Sequence, residues 1–334
     1  MAREFGIFNR PVTTIYEKPG RTKETKKGTV SAIADEGLYG MACRILERTD
    51  GWLYILTGYG YAGYVREEEL PIVSGEEMQT RMGADLAVVD NGFADVLSLP
   101  AVQGVCLASL PGGAFVERIW QRAPAQPQEN GWTRVRLLSG EEGYMRTRHL
   151  EEKRCSEDFL WKDAKKVLSL LNAASSRLET AKGGDGAFCL SAVLKRWYKD
   201  SEKAFRENLT AEAKKYLGAQ YRWGGKSLQG IDCSGLTSMA YLRSGVVIYR
   251  DAAIADGFPV IRLPMENGWE ERLCPGDLLY FPGHIAMYIG DGRYIHSTAY
   301  EKSGGVVINS LREGDGDYRA DLKESLYAVG GVRL

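Results

Sequence analysis

Residues 230–245 read Gly-Ile-Asp-Cys-Ser-Gly-Leu-Thr-Ser-Met-Ala-Tyr-Leu-Arg-Ser-Gly, and residues 283–297 read Gly-His-Ile-Ala-Met-Tyr-Ile-Gly-Asp-Gly-Arg-Tyr-Ile-His-Ser. In the first stretch Leu236, Met239, Ala240 and Leu242 have near-helical spacing. Gly245 is a plausible stop, and Asp232 or Ser234 can cap the start. Cys233 therefore falls in a first helical turn, where the positive end of the helix favours a thiolate and free N–H groups can receive an oxyanion. The second stretch predicts a β-hairpin turning at Gly290-Asp291-Gly292. That register sets His296 opposite about Ala286 and leaves His284 roughly one pleat away.

The three side chains make one chemical set. A thiol titrates near 8.5 and needs a base to become a nucleophile at neutral pH. His284 is the expected base for Cys233, and His296 the expected orienting group for His284. Cys43, Cys106, Cys155, Cys189 and Cys274 read as inert small apolar residues. No C-x-x-C or H-x-x-x-H pair is present, so no metal site and no cofactor are expected.

Tyr-Arg-Trp-Gly-Gly (221–225), Gly-Ile-Asp-Cys-Ser-Gly-Leu (230–236), Pro-Gly-Asp-Leu (275–278), Gly-His-Ile-Ala-Met-Tyr-Ile-Gly (283–290) and Tyr-Ile-His (294–296) resemble the NlpC/P60 cell-wall peptidases in order and spacing. The resemblance implies an α+β, papain-like catalytic domain, a Cys-His-His triad, and cleavage beside γ-D-glutamate in peptidoglycan stem peptides. It also implies that Tyr221 and Trp223 line the cleft, that Asp232 and Ser234 contact substrate, and that Asp251 meets the substrate amine. Ala252 departs from the pattern, because the family often has serine there.

The N-terminal part repeats itself. Gly51-Trp52 matches Gly131-Trp132, Gly63-Tyr64 matches Gly143-Tyr144, Arg66 matches Arg146, and Leu70 matches Leu150, all at one offset. Pro19 and Pro100 follow similar short strands at nearly that offset. Two small, mostly antiparallel β-barrels are expected, resembling bacterial SH3 domains, with Trp52 and Trp132 in their cores. Apolar residues at mixed helical spacing from Phe159 to Leu171, a break at Gly183-Gly184-Asp185-Gly186, and a second run from Leu190 to Trp197 predict a helical linker or insertion. The expected organisation is 1–75 and 84–153 as SH3-like barrels, 154–203 as the helical segment and 204–334 as the peptidase domain, opening on a helix at about 207–217.

Two SH3-like domains before this core resemble the γ-D-glutamyl-L-diamino acid endopeptidases of muropeptide recycling. In those, the first SH3-like domain closes one end of the cleft and a free N-terminal L-Ala is required. The expected substrate is L-Ala-γ-D-Glu-L-Lys or its meso-diaminopimelate equivalent, with Glu36 and Tyr61 as candidates for closing the amine pocket. A wall-anchored hydrolase of intact peptidoglycan, and a wall-binding protein with an inactive peptidase domain, are the alternatives.

Composition fits a globular chain: 334 residues, 44% hydrophobic and 26% charged, room for two or three domains. A formal net charge of −1 gives no basic excess for nucleic acid. No run approaches the roughly 18 apolar residues of a membrane span, and MAREFGIFNRPV lacks the apolar core of a secretory signal. Scattered cysteines suit a reducing compartment. The chain is expected in the cytoplasm if this N-terminus is native, and at the cell envelope otherwise. Peptidoglycan-derived peptides are the expected partners; the sequence is silent on oligomeric state.

Overall fold

A computed structural model describes residues 3–26, 28–90, 92–119, 131–176 and 186–334. Two compact units emerge: Met1–Gly58 with Ala62–Lys153, and Tyr59–Tyr61 with Arg154–Leu334.

The first unit carries the repeat as two seven-stranded antiparallel sheets. One runs, in spatial order, Ile33–Leu38, Val12–Tyr16, Ala62–Arg66, Trp52–Thr57, Ala42–Thr49, Phe5–Ile7 and Ile72–Val73. The other runs Cys106–Pro111, Phe93–Leu97, Glu142–Arg146, Trp132–Arg136, Phe115–Arg118, Leu86–Val89 and Leu150–Glu152. Ranked along the chain, the strands of both sheets follow the same spatial order. Among the described residues no strand pairing closes either sheet into a barrel.

The repeated residues have physical reasons. Gly51 and Gly131 take left-handed φ values of 79° and 85° in the turns before their tryptophans. A Cβ at Gly63 would come within 2.5 Å of Ile15, and one at Gly143 within 2.7 Å of Val96, so only glycine lets the strands cross. Trp52 pairs across the ladder with Arg66, and Trp132 with Arg146. Each guanidinium stacks on its indole, 5.4 Å and 4.1 Å from the ring centre. Trp132 is buried, but Trp52 is only partly so, which corrects the core assignment for that residue. Trp52 lies at the exposed end of its strand, edge-on to Tyr16 at 5.5 Å.

The second unit is built on a six-stranded antiparallel sheet in the order Ile261–Leu263, Ala328–Gly331, Leu278–Phe281, His284–Gly290, Arg293–Ser297 and Val306–Ser310. The helix Cys233–Arg243 packs on the His284 and His296 strands and on a second helix, Glu202–Lys214. That second helix starts earlier than the sequence pattern suggests, because Ser201 accepts a hydrogen bond from the Ala204 N–H and caps it. Ala164–Ser176 and Gly186–Trp197 form the helices expected between the repeats and the sheet, and they cluster with this unit. The expected break at Gly183–Asp185 lies outside the described residues. Among the described residues no helix is long and apolar enough to cross a membrane.

Asp277, from the Pro-Gly-Asp-Leu motif, ties the far edge together. Its fully buried carboxylate accepts from Arg333 Nη1 at 2.6 Å and Nη2 at 2.5 Å, and from the Cys274 N–H at 2.9 Å. Arg206 Nη1 lies 3.5 Å away. Asp277→Ala removes the carboxylate partner of the partly buried Arg333, while Arg206 keeps its pair with Glu202, so about 3 kcal/mol of stability is expected to be lost in urea denaturation. A loss below about 1 kcal/mol would show that the cluster is not a stability determinant.

Candidate active site

The Cys233 helix is buried on nearly every face, Ser238 being its one residue of intermediate exposure. Such a helix is fixed in rotation by packing all round, and its first residue is fixed with it. Asp232 caps it through Oδ1, which accepts from the Gly235 N–H at 2.6 Å. Oδ2 of the same carboxylate accepts from the Gly224 N–H at 2.8 Å. Arg250, nearly inaccessible, donates to Asp232 Oδ1 at 3.0 Å and to Ser234 Oγ at 2.7 Å, and also reaches the Gly224 carbonyl. Asp232 and Ser234, expected to contact substrate, thus direct their polar atoms to internal partners. They bind the 221–225 segment to the helix start.

Cys233 is buried, and the backbone N–H groups of Ile285 and Ser234 point at its sulfur. Ile285 follows His284 directly, so the thiol lies against the beginning of the His284 strand. The hairpin beyond it has Met287 facing Ile295 and Tyr288 facing Tyr294, a register that carries His296 to the level of Ala286. Asp291 supplies a left-handed turn residue at φ 53°. His284 Nε2 lies 2.8 Å from His296 Nδ1, and His296 Nε2 lies 2.8 Å from Asn309 Oδ1 on the Val306–Ser310 strand. Ser297 Oγ donates to the Ile231 carbonyl at 2.6 Å and pins the His296 strand beside the Cys233 helix.

Burial sets the electrostatics. Desolvation, with Asp232 nearby, pushes the Cys233 thiol up to about 12. Desolvation and the neighbouring His296 ring lower His284 to about 3. Desolvation lowers His296 to about 4, against the opposing pull of its hydrogen bond to Asn309. Burial thus favours the neutral thiol and the neutral imidazoles over their charged forms.

Among the other expected residues, Tyr221 is half-buried, and burial followed by the nearby Cys233 raises its hydroxyl's pKa, which places the phenol beside the nucleophile. Trp223 is 60% exposed. Asp251 and Tyr61 are half-buried in the second unit. Glu36 belongs to the first unit, buried on the Ile33–Leu38 strand opposite Thr14. Two residues escaped the sequence reading, Arg250 and Asn309. The available signals were an arginine beside Asp251 and an asparagine directly after the β-branched run Val306-Val307-Ile308, a strand position where asparagine is disfavoured.

Residues 218–319 match the NlpC/P60 family. Dipeptidyl-peptidase 6 of Lysinibacillus sphaericus is 34% identical over 301 residues, 90% of this chain and 92% of that one. The gamma-D-glutamyl-L-lysine dipeptidyl-peptidase of Bacillus cereus (strain ATCC 10987 / NRS 248) is 39% identical over 108 residues, covering 29% of this chain and 30% of its own length. The crystal structure of an NlpC/P60 family protein from Bacillus cereus ATCC 10987 superposes with a TM-score of 0.65 at 18% identity, over 97% of this chain and 98% of that one. With a relative alike along nearly its whole length and a fold shared end to end, the chain belongs to the NlpC/P60 family of peptidases.

Proposed function

We propose that the protein is a cysteine endopeptidase that hydrolyses the bond between γ-D-Glu and the diamino acid, L-Lys or meso-diaminopimelate, of peptidoglycan stem peptides carrying a free N-terminal L-Ala. The observation that carries this reading is Cys233 at a capped helix start, with the Ile285 N–H of the His284 strand at its sulfur and His284 paired to His296 at 2.8 Å. The names of the relatives, a dipeptidyl-peptidase and a gamma-D-glutamyl-L-lysine dipeptidyl-peptidase, support the substrate class.

The chemistry follows from the groups present. The Cys233 sulfur attacks the γ-carbonyl of D-Glu while its proton passes to His284. The developing oxyanion is met by the Cys233 N–H, with the Tyr221 hydroxyl close enough to assist. Protonated His284 then donates to the departing amine. Water, activated by the same ring, hydrolyses the thioester. His296 holds the His284 ring in place. The substrate amine is a cation, and Asp251 and Tyr61 are the groups we assign to it. Asp232 and Ser234 act through the placement of Cys233 as well as through any direct contact. The two repeated sheets are read as SH3-like modules at 1–75 and 84–153, ahead of the 154–203 helical segment and a 204–334 peptidase domain.

Hydrolysis of L-Ala-γ-D-Glu-L-Lys beside its N-acetylated twin tests the proposal. The free peptide is expected to be cut, and acetylation to lower kcat/KM by about 100-fold or more, as loss of a charge-assisted contact predicts. Equal cleavage of both would indicate an open cleft and a hydrolase of intact wall. Cleavage of neither would move the reading to a binding role.

A further inference from the structure

We propose that Asn309 is a positioning residue that sets the proton positions on both histidines, so that His284 presents a bare Nδ1 to the Cys233 thiol. The inference rests on the roles proposed above for Cys233, His284 and His296.

The reasoning starts at a backbone carbonyl. Asn309 Nδ2 lies 2.6 Å from the Asp317 carbonyl oxygen. A carbonyl can only accept, so the NH₂ end of the Asn309 amide must face it. The amide oxygen is then the end that faces His296 Nε2, at 2.8 Å. That oxygen can only accept, so His296 Nε2 must carry a proton. A neutral imidazole has one N–H, which leaves His296 Nδ1 bare. His296 Nδ1 is the atom 2.8 Å from His284 Nε2, so His284 Nε2 must in turn be the donor. Its Nδ1 is left bare, which is the state a base needs in order to take the thiol proton.

The opposite setting is chemically dead. A hydrogen-bond donor in place of the Asn309 oxygen would put the His296 proton on Nδ1. His284 Nε2 would then accept, and an N–H on Nδ1 would point at the thiol. The amide thus selects between a competent and an incompetent site from two rings away.

The fixed end of the chain is well held. Asp317 O also receives the Ser310 N–H at 3.4 Å, and the Asp317 side chain pairs with Arg293. Ser310 Oγ bonds Asp315 at 2.6 Å within the same turn. His296 is inaccessible to solvent, so water cannot replace the Asn309 oxygen at no cost. Burial lowers both rings' proton affinity, which keeps them neutral over the working range and makes the tautomer the variable that matters.

The chain has three histidines, so ring-nitrogen NMR on ¹⁵N-labelled protein yields three spin systems, with His149 of the first unit as an internal reference. At pH 7 the wild type is expected to show His284 and His296 as neutral Nε2–H tautomers. Asn309→Ala is expected to mix the tautomers of both rings and to lower kcat by about 100-fold with KM within about twofold, in line with loss of general-base action. Asn309→Asp retains an acceptor. It is expected to keep the Nε2–H pattern, to keep kcat within about tenfold, and to move the acidic limb of kcat/KM upward by about one unit, because a carboxylate favours an imidazolium. Unchanged tautomers in folded Asn309→Ala, or an unmoved acidic limb in Asn309→Asp, would overturn the inference. Failure of the peptidase reading would appear separately, as hydrolysis that survives Cys233→Ala. The ring spectra need no substrate and do not depend on it.

Discussion

Cys233→Ala protein is expected to fold, to bind stem peptide and to turn it over at least about 10⁴-fold more slowly than the wild type. The size of the loss follows from what remains. Without sulfur, the oxyanion donors can still polarise the γ-carbonyl, and His284 can still order a water. No covalent intermediate can form, however, because alanine carries no nucleophilic atom. The fold should survive, because Cys233 is one small apolar side chain at the start of a helix whose neighbouring residues are buried on their own account. Its cap is Asp232, which the substitution leaves alone. The check is single-turnover hydrolysis of L-Ala-γ-D-Glu-L-Lys together with a urea midpoint. A folded variant that retained more than about a hundredth of the wild-type rate would remove Cys233 from the mechanism and leave the family's chemistry to other groups.

The residues visible from sequence were those whose environment is local. Cys233 could be placed because a capping aspartate, a glycine-bounded helical run and the residue itself lie within a few positions. His284 and His296 could be brought together because one turn with a left-handed Asp291 fixes their register. The repeat in the first unit was legible for a similar reason. A positive-φ glycine, a tryptophan and its cross-strand arginine leave the same marks twice, and the strand order confirms that the marks describe one topology used twice. Closure into barrels was not legible, since it depends on pairing between strands far apart in the chain. Asn309 and Arg250 were missed on the same grounds. Asn309 meets His296 across neighbouring strands and Asp317 across a turn; Arg250 meets Asp232 across a helix. No spacing rule encodes either meeting. Asp232 shows the complementary case. The resemblance implies a substrate contact there, and the structure adds internal partners, two N–H groups and a guanidinium, that no single-residue reading could supply.

The histidine pair, His296 buried and His284 partly so, should also make the protein acid-sensitive in stability while leaving its chemistry tolerant of acid. In the unfolded chain each ring takes a proton near pH 6.5. In the folded chain His284 resists until about 3 and His296 until about 4. Between those limits the unfolded state binds protons that the native state refuses, so stability is full above about pH 6.5 and is lost as pH falls. At pH 5 each ring accounts for about 2 kcal/mol, and the pair for about 4 kcal/mol. His149, lowered by burial and by Arg148, acts in the same direction, so the wild-type loss must be compared with that of His296→Gln. Removing one of the two deep rings is expected to cut the loss between pH 7 and pH 5 by about 2 kcal/mol in urea denaturation. Over the same interval kcat per folded molecule should stay nearly flat, because His284 is still neutral and still a base at pH 5. One cause, the desolvation of two imidazoles that meet edge-on, thus yields opposite responses in two measurements. An acidic limb near pH 6.5 in kcat, with no drop in the urea midpoint, would mean that the rings are solvated and protonate freely, and that burial does not hold them neutral.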